Sequence, residues 1–478
     1  CIRDSKEDVV ELGAAVVTAS KRKEKILDAP ASISLITQKQ IKNTVGINAT
    51  DYLKSTQGVD IMKTGLGSEY VVVRGFNNIF SGGLLTIVDN RIARVPSLRV
   101  NVSSFIPTSS DDYERIEVLR GPASALYGPN SSDGVVHIIT KSPIDQDEKF
   151  ETTVNIGGGF RSKIDDTIHI KNTADPVYDY DIFSDRALYF GSVRHSARLN
   201  EKIGYKVTAS YFAGTDWRYD DPAEPDSIIL GRQTADGRVT QGDTIPNVRD
   251  ESIEKIAVDG RLDYRFNDKG EIIFSGGMSQ NTLIEMTGIG TGQTDGWRYS
   301  YAQMRFRYDD LFAQVFANFS NSGDTYLFRS GDLIVDRSKV FVTQVQHASS
   351  FAKDKVNLVY GVDAIFTRPD TDNTINGRNE DDDEITEIGG YIQGTYDPHE
   401  KISLVAGTRY DYHNFIDDGF WSPRGAIVFK PTKKHTLRAT YNRAFGSPSS
   451  NNLNLDINQA PDALSLIHIS EPTRPSSI

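Results

Sequence analysis

Val258-Asp259-Gly260-Arg261-Leu262-Asp263-Tyr264-Arg265-Phe266 sets Val, Gly, Leu, Tyr and Phe on one face and Asp, Arg, Asp, Arg on the other. Successive side chains of an extended strand point to opposite sides, so period two is a strand signature. A turn follows at Asn267-Asp268-Lys269-Gly270, and the return run carries Ile272, Phe274, Gly276 and Met278 on one face. The unit recurs in both directions along the chain. Tyr189, Gly191, Val193, Ala197 and Leu199 alternate with Ser192, Arg194, Ser196 and Arg198. After Asn200-Glu201-Lys202 come Ile203, Tyr205, Val207, Ala209 and Tyr211. Val356 to Phe366 and Leu437 to Tyr441 repeat it. Strands of about ten residues, apolar on one side and charged on the other, fit a β-barrel with lipid outside and polar groups within. Soluble sandwiches also alternate, but their strands commonly run to about five or six residues. Connections are lopsided too. Short turns (Ala352-Lys353-Asp354; Asp397-Pro398-His399-Glu400) alternate with long polar stretches at 217–247 and 368–384. Short inner turns and long outer loops are what such a barrel carries.

Composition bounds the rest. The chain has 478 residues, 38% hydrophobic and 25% charged, with a mean hydropathy of -0.41. No run of about 18 apolar residues is present, which excludes a membrane protein built from helices. A net charge of -12 and a pI near 5.3 argue against a nucleic-acid partner, which calls for a basic face. One cysteine excludes an internal disulfide framework, and 8 scattered histidines leave little scope for a metal site. The 39 glycines, 21 tyrosines and 22 phenylalanines suit many strands better than packed helices.

Before Ser142-Pro143 the texture differs. Gln38 to Asn43 and Ala49 to Ser55 read as short helices with Thr37 and Asn48 as N-caps. Tyr70-Val73, Leu84-Val88, Arg115-Leu119 and Val135-Thr140 read as strands, the second ending at an Asp89-Asn90 turn. Mixed elements over this length predict one compact α/β domain.

Specific motifs add to this pattern. Asp112-Tyr113-Glu114-Arg115-Ile116-Glu117-Val118-Leu119-Arg120-Gly121-Pro122 through Tyr127-Gly128, then Gly134 to Lys141, resembles the end of the plug of TonB-dependent outer-membrane receptors. Asp28-Ala29-Pro30-Ala31-Ser32-Ile33-Ser34 resembles the plug's first strand, Val73-Arg74-Gly75-Phe76 its RGF element, and Ile87-Val88-Asp89 its central strand. Ser422-Pro423-Arg424-Gly425 and Asn442 to Pro448 resemble the family's barrel. The resemblance implies a small α/β plug inside an antiparallel transmembrane β-barrel of about 22 strands. The expected division is an N-terminal segment at 1–27, a plug at 28–143 and a partial barrel at 144–463. That barrel segment is short, because closing about 22 strands takes on the order of 500 residues.

The implied function is energised import of a scarce bulky solute across a Gram-negative outer membrane, ferric siderophores or similar metal chelates leading. Its implied partners are a TonB-type energy-coupling protein, the extracellular ligand and outer-membrane lipid. A passive porin and a surface receptor or adhesin are the alternatives. No enzyme, cofactor or resident metal is implied. Ser124 lies in Ala-Ser-Ala, not in a nucleophile elbow. A puller must grip an extended segment, and strand addition supplies main-chain bonds without a deep pocket. The candidate is Ala14, Ala15, Val16, Val17, Thr18 and Ala19, which resembles the family's TonB box but has Gly13-Ala14 where an acidic residue and Thr are usual. By the same resemblance, Arg74, Glu117 and Arg120 are candidates for a latch, the arginines pairing with glutamates of the barrel wall. Bidentate arginine–carboxylate pairs suit that role, being strong when dry. Trp217, Trp297 and Tyr299 are expected at the membrane interface or on a binding surface. Asp381-Asp382-Asp383-Glu384 reads as a solvated outer loop, without the spacing of a calcium loop.

The ends carry two further expectations. Cys1 suits either a lipidated mature terminus or an arbitrary start. From Leu464, the run Leu-Ser-Leu-Ile-His-Ile-Ser-Glu-Pro-Thr-Arg resembles the codon-for-codon translation of a transposase sequencing adapter. Residues 464–478 are therefore expected to be artefact, with the barrel cut short before them.

Overall fold

In the computed structural model the alternation is realised as a wall. The structure describes residues 15–457, apart from 78, 80, 81, 100, 161–186, 218–220, 234–238, 241, 288, 289, 417, 433 and 434. Cys1, Ala14 and the adapter-like tail lie outside the described residues. The main sheet runs antiparallel from Phe150–Phe160 through Ala187–Arg198, Ile203–Thr215, Ser252–Asn267, Gly270–Thr287, Gly290–Tyr308 and Leu311–Asn321. It continues through Lys339–Phe351, Val356–Arg368, Ile385–His399, Ile402–His413, Arg424–Thr432 and His435–Asn442. Among the described residues its first and last strands do not pair with each other.

Burial is the reverse of a soluble sheet. Val258, Leu262 and Tyr264 are 44%, 42% and 42% exposed, whereas Asp259 and Asp263 are 4% and 2% exposed. Apolar side chains face out and charged ones face in, the arrangement a lipid solvent demands.

Many strands outrun the expected length. Gly290–Tyr308 has 19 residues and Gly270–Thr287 has 18. About ten residues cross the hydrocarbon, so the excess extends the wall beyond it. The turn expected at 397–400 is also shorter. Ile385–His399 runs on through Pro398, with a register shift between Tyr396 and His399. A bulge tolerates a proline that a regular ladder does not.

The globule sits inside this wall. Ser32–Thr37, Tyr113–Arg120, Gly134–Thr140, Leu84–Val88 and Arg91–Ile92 form one mixed sheet in that order. Leu84–Val88 pairs parallel with Gly134–Thr140 and closes a hairpin with Arg91–Ile92. Asp89 and Asn90, at φ 47 and 70, make that two-residue turn, since both tolerate the left-handed region. The helix Gln38–Lys42 starts at a capping box, with Thr37 N–H donating to Gln40 Oε1 at 2.8 Å. Ala49–Leu53 is a single 3-10 turn. One core lies within the globule around Ile116, Val118, Val136 and Ile138. A second joins it to the wall, where Leu85, Ile87 and Val135 pack with Phe316, Val340, Val342 and Ile365.

Candidate functional site

Two sets of contacts hold the plug: one to its own N-terminal strap, one to the wall. In the strap, Ala15–Val16 pairs antiparallel with Glu24–Lys25, and Val16, Thr18 and Ala19 are fully buried. Glu117 grips the segment. Its Oε2 accepts from Val17 N–H at 2.9 Å, Thr18 N–H at 2.9 Å and Thr18 Oγ1 at 2.6 Å. Burial pushes the Glu117 carboxyl up, but the Thr18 hydroxyl, the Val17 N–H and the Arg115 charge help to hold it below the usual carboxylate range. Thr18 Oγ1 spends its proton on Glu117, so His137 Nδ1, 3.2 Å away, donates to it. Burial pushes the His137 ring down to about 4, keeping it neutral. Tyr127 donates to Thr18 O at 2.9 Å, and Arg424 of the wall donates to Ala19 O at 3.0 Å. The Lys21 ammonium lies 4.3 Å from the Tyr391 ring centroid and 5.1 Å from that of Tyr127. Thus the described part of the candidate coupling segment, Ala15 to Ala19, is a tucked strand.

Arg74 and Arg120 come together at the far end of the plug sheet. Arg74 is exposed at φ 58, and a side chain at Gly121 would meet its Nη1 at 3.0 Å. Arg120 Nη1 donates to Gln57 O at 3.0 Å. Among the described residues neither arginine forms an ion pair.

The described ion pairs across the plug–wall interface use none of the latch candidates Arg74, Glu117 and Arg120. Arg99 meets Glu387 through two parallel bonds, Nη1 to Oε1 at 3.2 Å and Nη2 to Oε2 at 2.7 Å, with Ser447 bridging. Asp112 accepts from Arg194 Nε at 2.8 Å and from Lys206 Nζ, and all three side chains are buried. Asp89 meets Arg261 at 3.4 Å and Arg305 at 3.5 Å, and accepts from Thr140 Oγ1 at 2.6 Å. Asp89 and Asp112 both stand inside quoted motifs. Their ion-pair partners lie 82 to 216 residues away, beyond the reach of local pattern reading.

Trp297 and Tyr299 are not at the interface. Both are buried on the inner face, the Trp297 ring tilted against Phe105 of the plug with centroids 5.5 Å apart and Tyr299 accepting from Arg91 at 2.6 Å. Their register in Gly290–Tyr308 sets them inward, on the same face as Tyr301 and Gln303. Trp217 is half-buried. Asp381 and Asp382 end a 3-10 turn, Gly377–Asp382, and Asp383 accepts from Asn376 Nδ2 at 2.6 Å.

Comparison with known proteins bears on this arrangement. The family model "TonB-dependent Receptor Plug Domain" matches residues 25–135, and "TonB dependent receptor-like, beta-barrel" matches residues 209–466. A hemin receptor of Yersinia pestis is 24% identical over 468 residues, covering 91% of this chain and 60% of its own length. The vitamin B12 transporter BtuB of Vibrio vulnificus is 31% identical over 156 residues, 32% of this chain and 24% of BtuB. Among solved structures, a ferric enterobactin receptor of Pseudomonas aeruginosa superposes with a TM-score of 0.66 at 18% identity, covering 92% of this chain and 65% of that one. The chain therefore spans at most about 60% of the length of these curated relatives.

Proposed function

Because this chain belongs to the TonB-dependent receptors, proteins of the Gram-negative outer membrane, we propose that its parent protein imports a scarce, bulky solute with energy delivered by a TonB-type coupling protein. A ferric siderophore or similar metal chelate is the leading substrate class. One observation carries the reading: a globule packed into a polar-lined wall, with the strand a puller would grip tucked beneath it. A passive porin has no use for such a stopper. In this reading Ala14 to Ala19 is the coupling segment, which adds as a strand to the partner once free. Arg74 and Arg120 would take carboxylate partners from wall strands outside the described residues, completing the latch that the resemblance implies. Glu117 serves the strap.

The test uses the full-length receptor and a panel of radiolabelled ferric siderophores, hemin and cobalamin. Deleting residues 14–19 is expected to abolish uptake of the imported compound while leaving its binding unchanged. Uptake at the normal rate would remove that segment from the mechanism, and binding of none of the panel would remove the substrate class.

A further inference from the structure

We propose that a phosphorylated lipid of the outer leaflet seats in an oblique cleft on the outside of the wall, with an acyl chain along Gly260, Gly276, Ala302 and Ala317 and its phosphate at Lys339. The inference concerns the lipid-facing surface and holds whatever the receptor imports.

The cleft, about 780 Å³, is lined by wall residues from Tyr205 to Phe366 and by none from the plug. Strand register lays out its floor. Gly260 stands opposite Gly276, Gly276 opposite Ala302, Ala302 opposite Ala317 and Ala317 opposite Phe341. This row lies on the outward face, since Val258 and Leu262 on either side of Gly260 are exposed. Two residues nearer the short turns, Leu262, Phe274, Met304 and Val315 are all exposed and form one bank. Val258, Met278, Ser300 and Phe319 form the other. From Gly260 to Phe341 the floor crosses four strand spacings, about 19 Å, against a leaflet about 15 Å deep. Barrel strands tilt by about 35–45°, so a row across them is inclined to the membrane plane. Gly260 lies mid-way along Ser252–Asn267, whereas Phe341 is the third residue of Lys339–Phe351, at its long-loop end. The cleft therefore climbs from the middle of the wall toward the outer surface.

Two further observations point to an occupant. Glycine weakens a strand interior and often marks the close approach of a ligand. At Gly260 the fold itself leaves room for a side chain, because a Cβ there would meet only Lys206 O, at 3.8 Å. The second observation is charge at the upper end. By register the bank of Phe319 continues to Lys339 and then to Arg368. Arg298 stands on the same face, exposed and two residues further out than Ser300. Arg368 meets Glu384 at 3.1 Å. Lys339 is exposed and forms no ion pair among the described residues. Phe319 and Phe341 pack edge to face beside it, with centroids 6.3 Å apart. A cation free to meet an anion, set at head-group height over an apolar trough of acyl length, matches a lipid that carries phosphate. Lys339 and Arg368 border the long loops, which assigns the lipid to the outer leaflet.

The test uses the full-length receptor with every native cysteine replaced by serine, reconstituted in vesicles of dibrominated phosphatidylcholine. A bimane fluorophore is attached at Thr343→Cys in the cleft, or at Ile392→Cys on a lipid-facing strand outside it. Bromine quenches the fluorophore, and unbrominated lipid A, a bis-phosphorylated lipid, is added as competitor. Half-recovery of fluorescence is expected at about tenfold less lipid A at Thr343→Cys than at Ile392→Cys. Lys339→Gln with Arg368→Gln is expected to remove the difference, and so is Ala317→Phe, which fills the floor and leaves both cations in place. Equal recovery at the two sites in the parent, or a preference that survives both variants, would overturn the proposal. Phosphatidylglycerol competing as well as lipid A at Thr343→Cys would assign the seat to any anionic glycerolipid and overturn the choice of leaflet. No quenching at Thr343→Cys would mean that protein covers the cleft, a second copy or a partner, and would overturn it as well.

Discussion

The Asp112 flank and the Thr18 strap are both buried, yet they differ in what a break leaves behind. On the flank, the Asp112 carboxylate serves two buried cations, Arg194, which also reaches Glu151, and Lys206. In the strap, most bonds end on main-chain atoms of residues 15–21, which leave together and are solvated once free. Desolvated charge makes a fixed joint; main-chain pairing makes a releasable one. One plug therefore has a part that stays and a part that goes.

The comparison breaks most visibly at Asp112. Asp112→Ala leaves the buried Lys206 without a carboxylate and Arg194 with Glu151 alone, and is expected to destabilise the plug by about 3–5 kcal/mol. The urea midpoint of plug unfolding, followed by the fluorescence of Trp297 packed against Phe105, measures this. A shift of a few tenths of a kcal/mol would show that the flank is not dry.

Thr18→Ala acts where the strap meets the plug, and also takes from His137 Nδ1 its acceptor. It removes the 2.6 Å bond to the Glu117 carboxylate, a charge-assisted contact worth on the order of 2 kcal/mol. Hydrogen exchange across residues 15–25 is expected to quicken, with protection of Tyr113–Arg120 unchanged. Equal loss in both segments would mean that strap and sheet open as one unit.

The smallest effect is that of pH on strap docking. Burial pushes the Lys21 ammonium from 10.5 down to about 7, with the Asp363 charge opposing and the Arg409 charge adding. A docked strap thus binds fewer protons than a released one between those values, so docking tightens as pH rises from about 7 to 10.5 and Lys21 adds no further change below about 7. Glu24, pushed up from 4.5 to about 7 by burial, acts in the lower window with the opposite sign. A spin label at Lys23→Cys is expected to lose its mobile component between pH 7 and 10. A rising mobile component would reverse the assignment.

Much of the fold was legible because lipid imposes alternation on every residue it touches. Val258 to Phe266 announces its strand, and Thr37 with Gln40 announces its helix start. Legibility stops where that pressure stops. Gly290 to Gly296 extends the wall beyond the hydrocarbon, where no solvent contrast enforces alternation, and those residues do not read as strand from sequence. Asp397-Pro398-His399 carries turn composition, but a bulge absorbs it. The site was less legible. The coupling segment can be placed by its apolar run and its position, whereas its clasp joins Thr18 to Glu117 across 99 residues. Arg99 with Glu387 spans 288 residues, and nothing in either neighbourhood names the other.

The account stands most directly on which face of the wall meets lipid. A nitroxide scan of residues 256–264 in the full-length receptor, reconstituted in liposomes, tests this by oxygen collision rate. Even-numbered positions, among them Ile256, Val258, Leu262 and Tyr264, are predicted to be oxygen-accessible and closed to aqueous nickel chelate, with odd-numbered positions closed to both. Aqueous access at the even positions, or no period of two, would contradict a plug sealed in a lipid-facing wall.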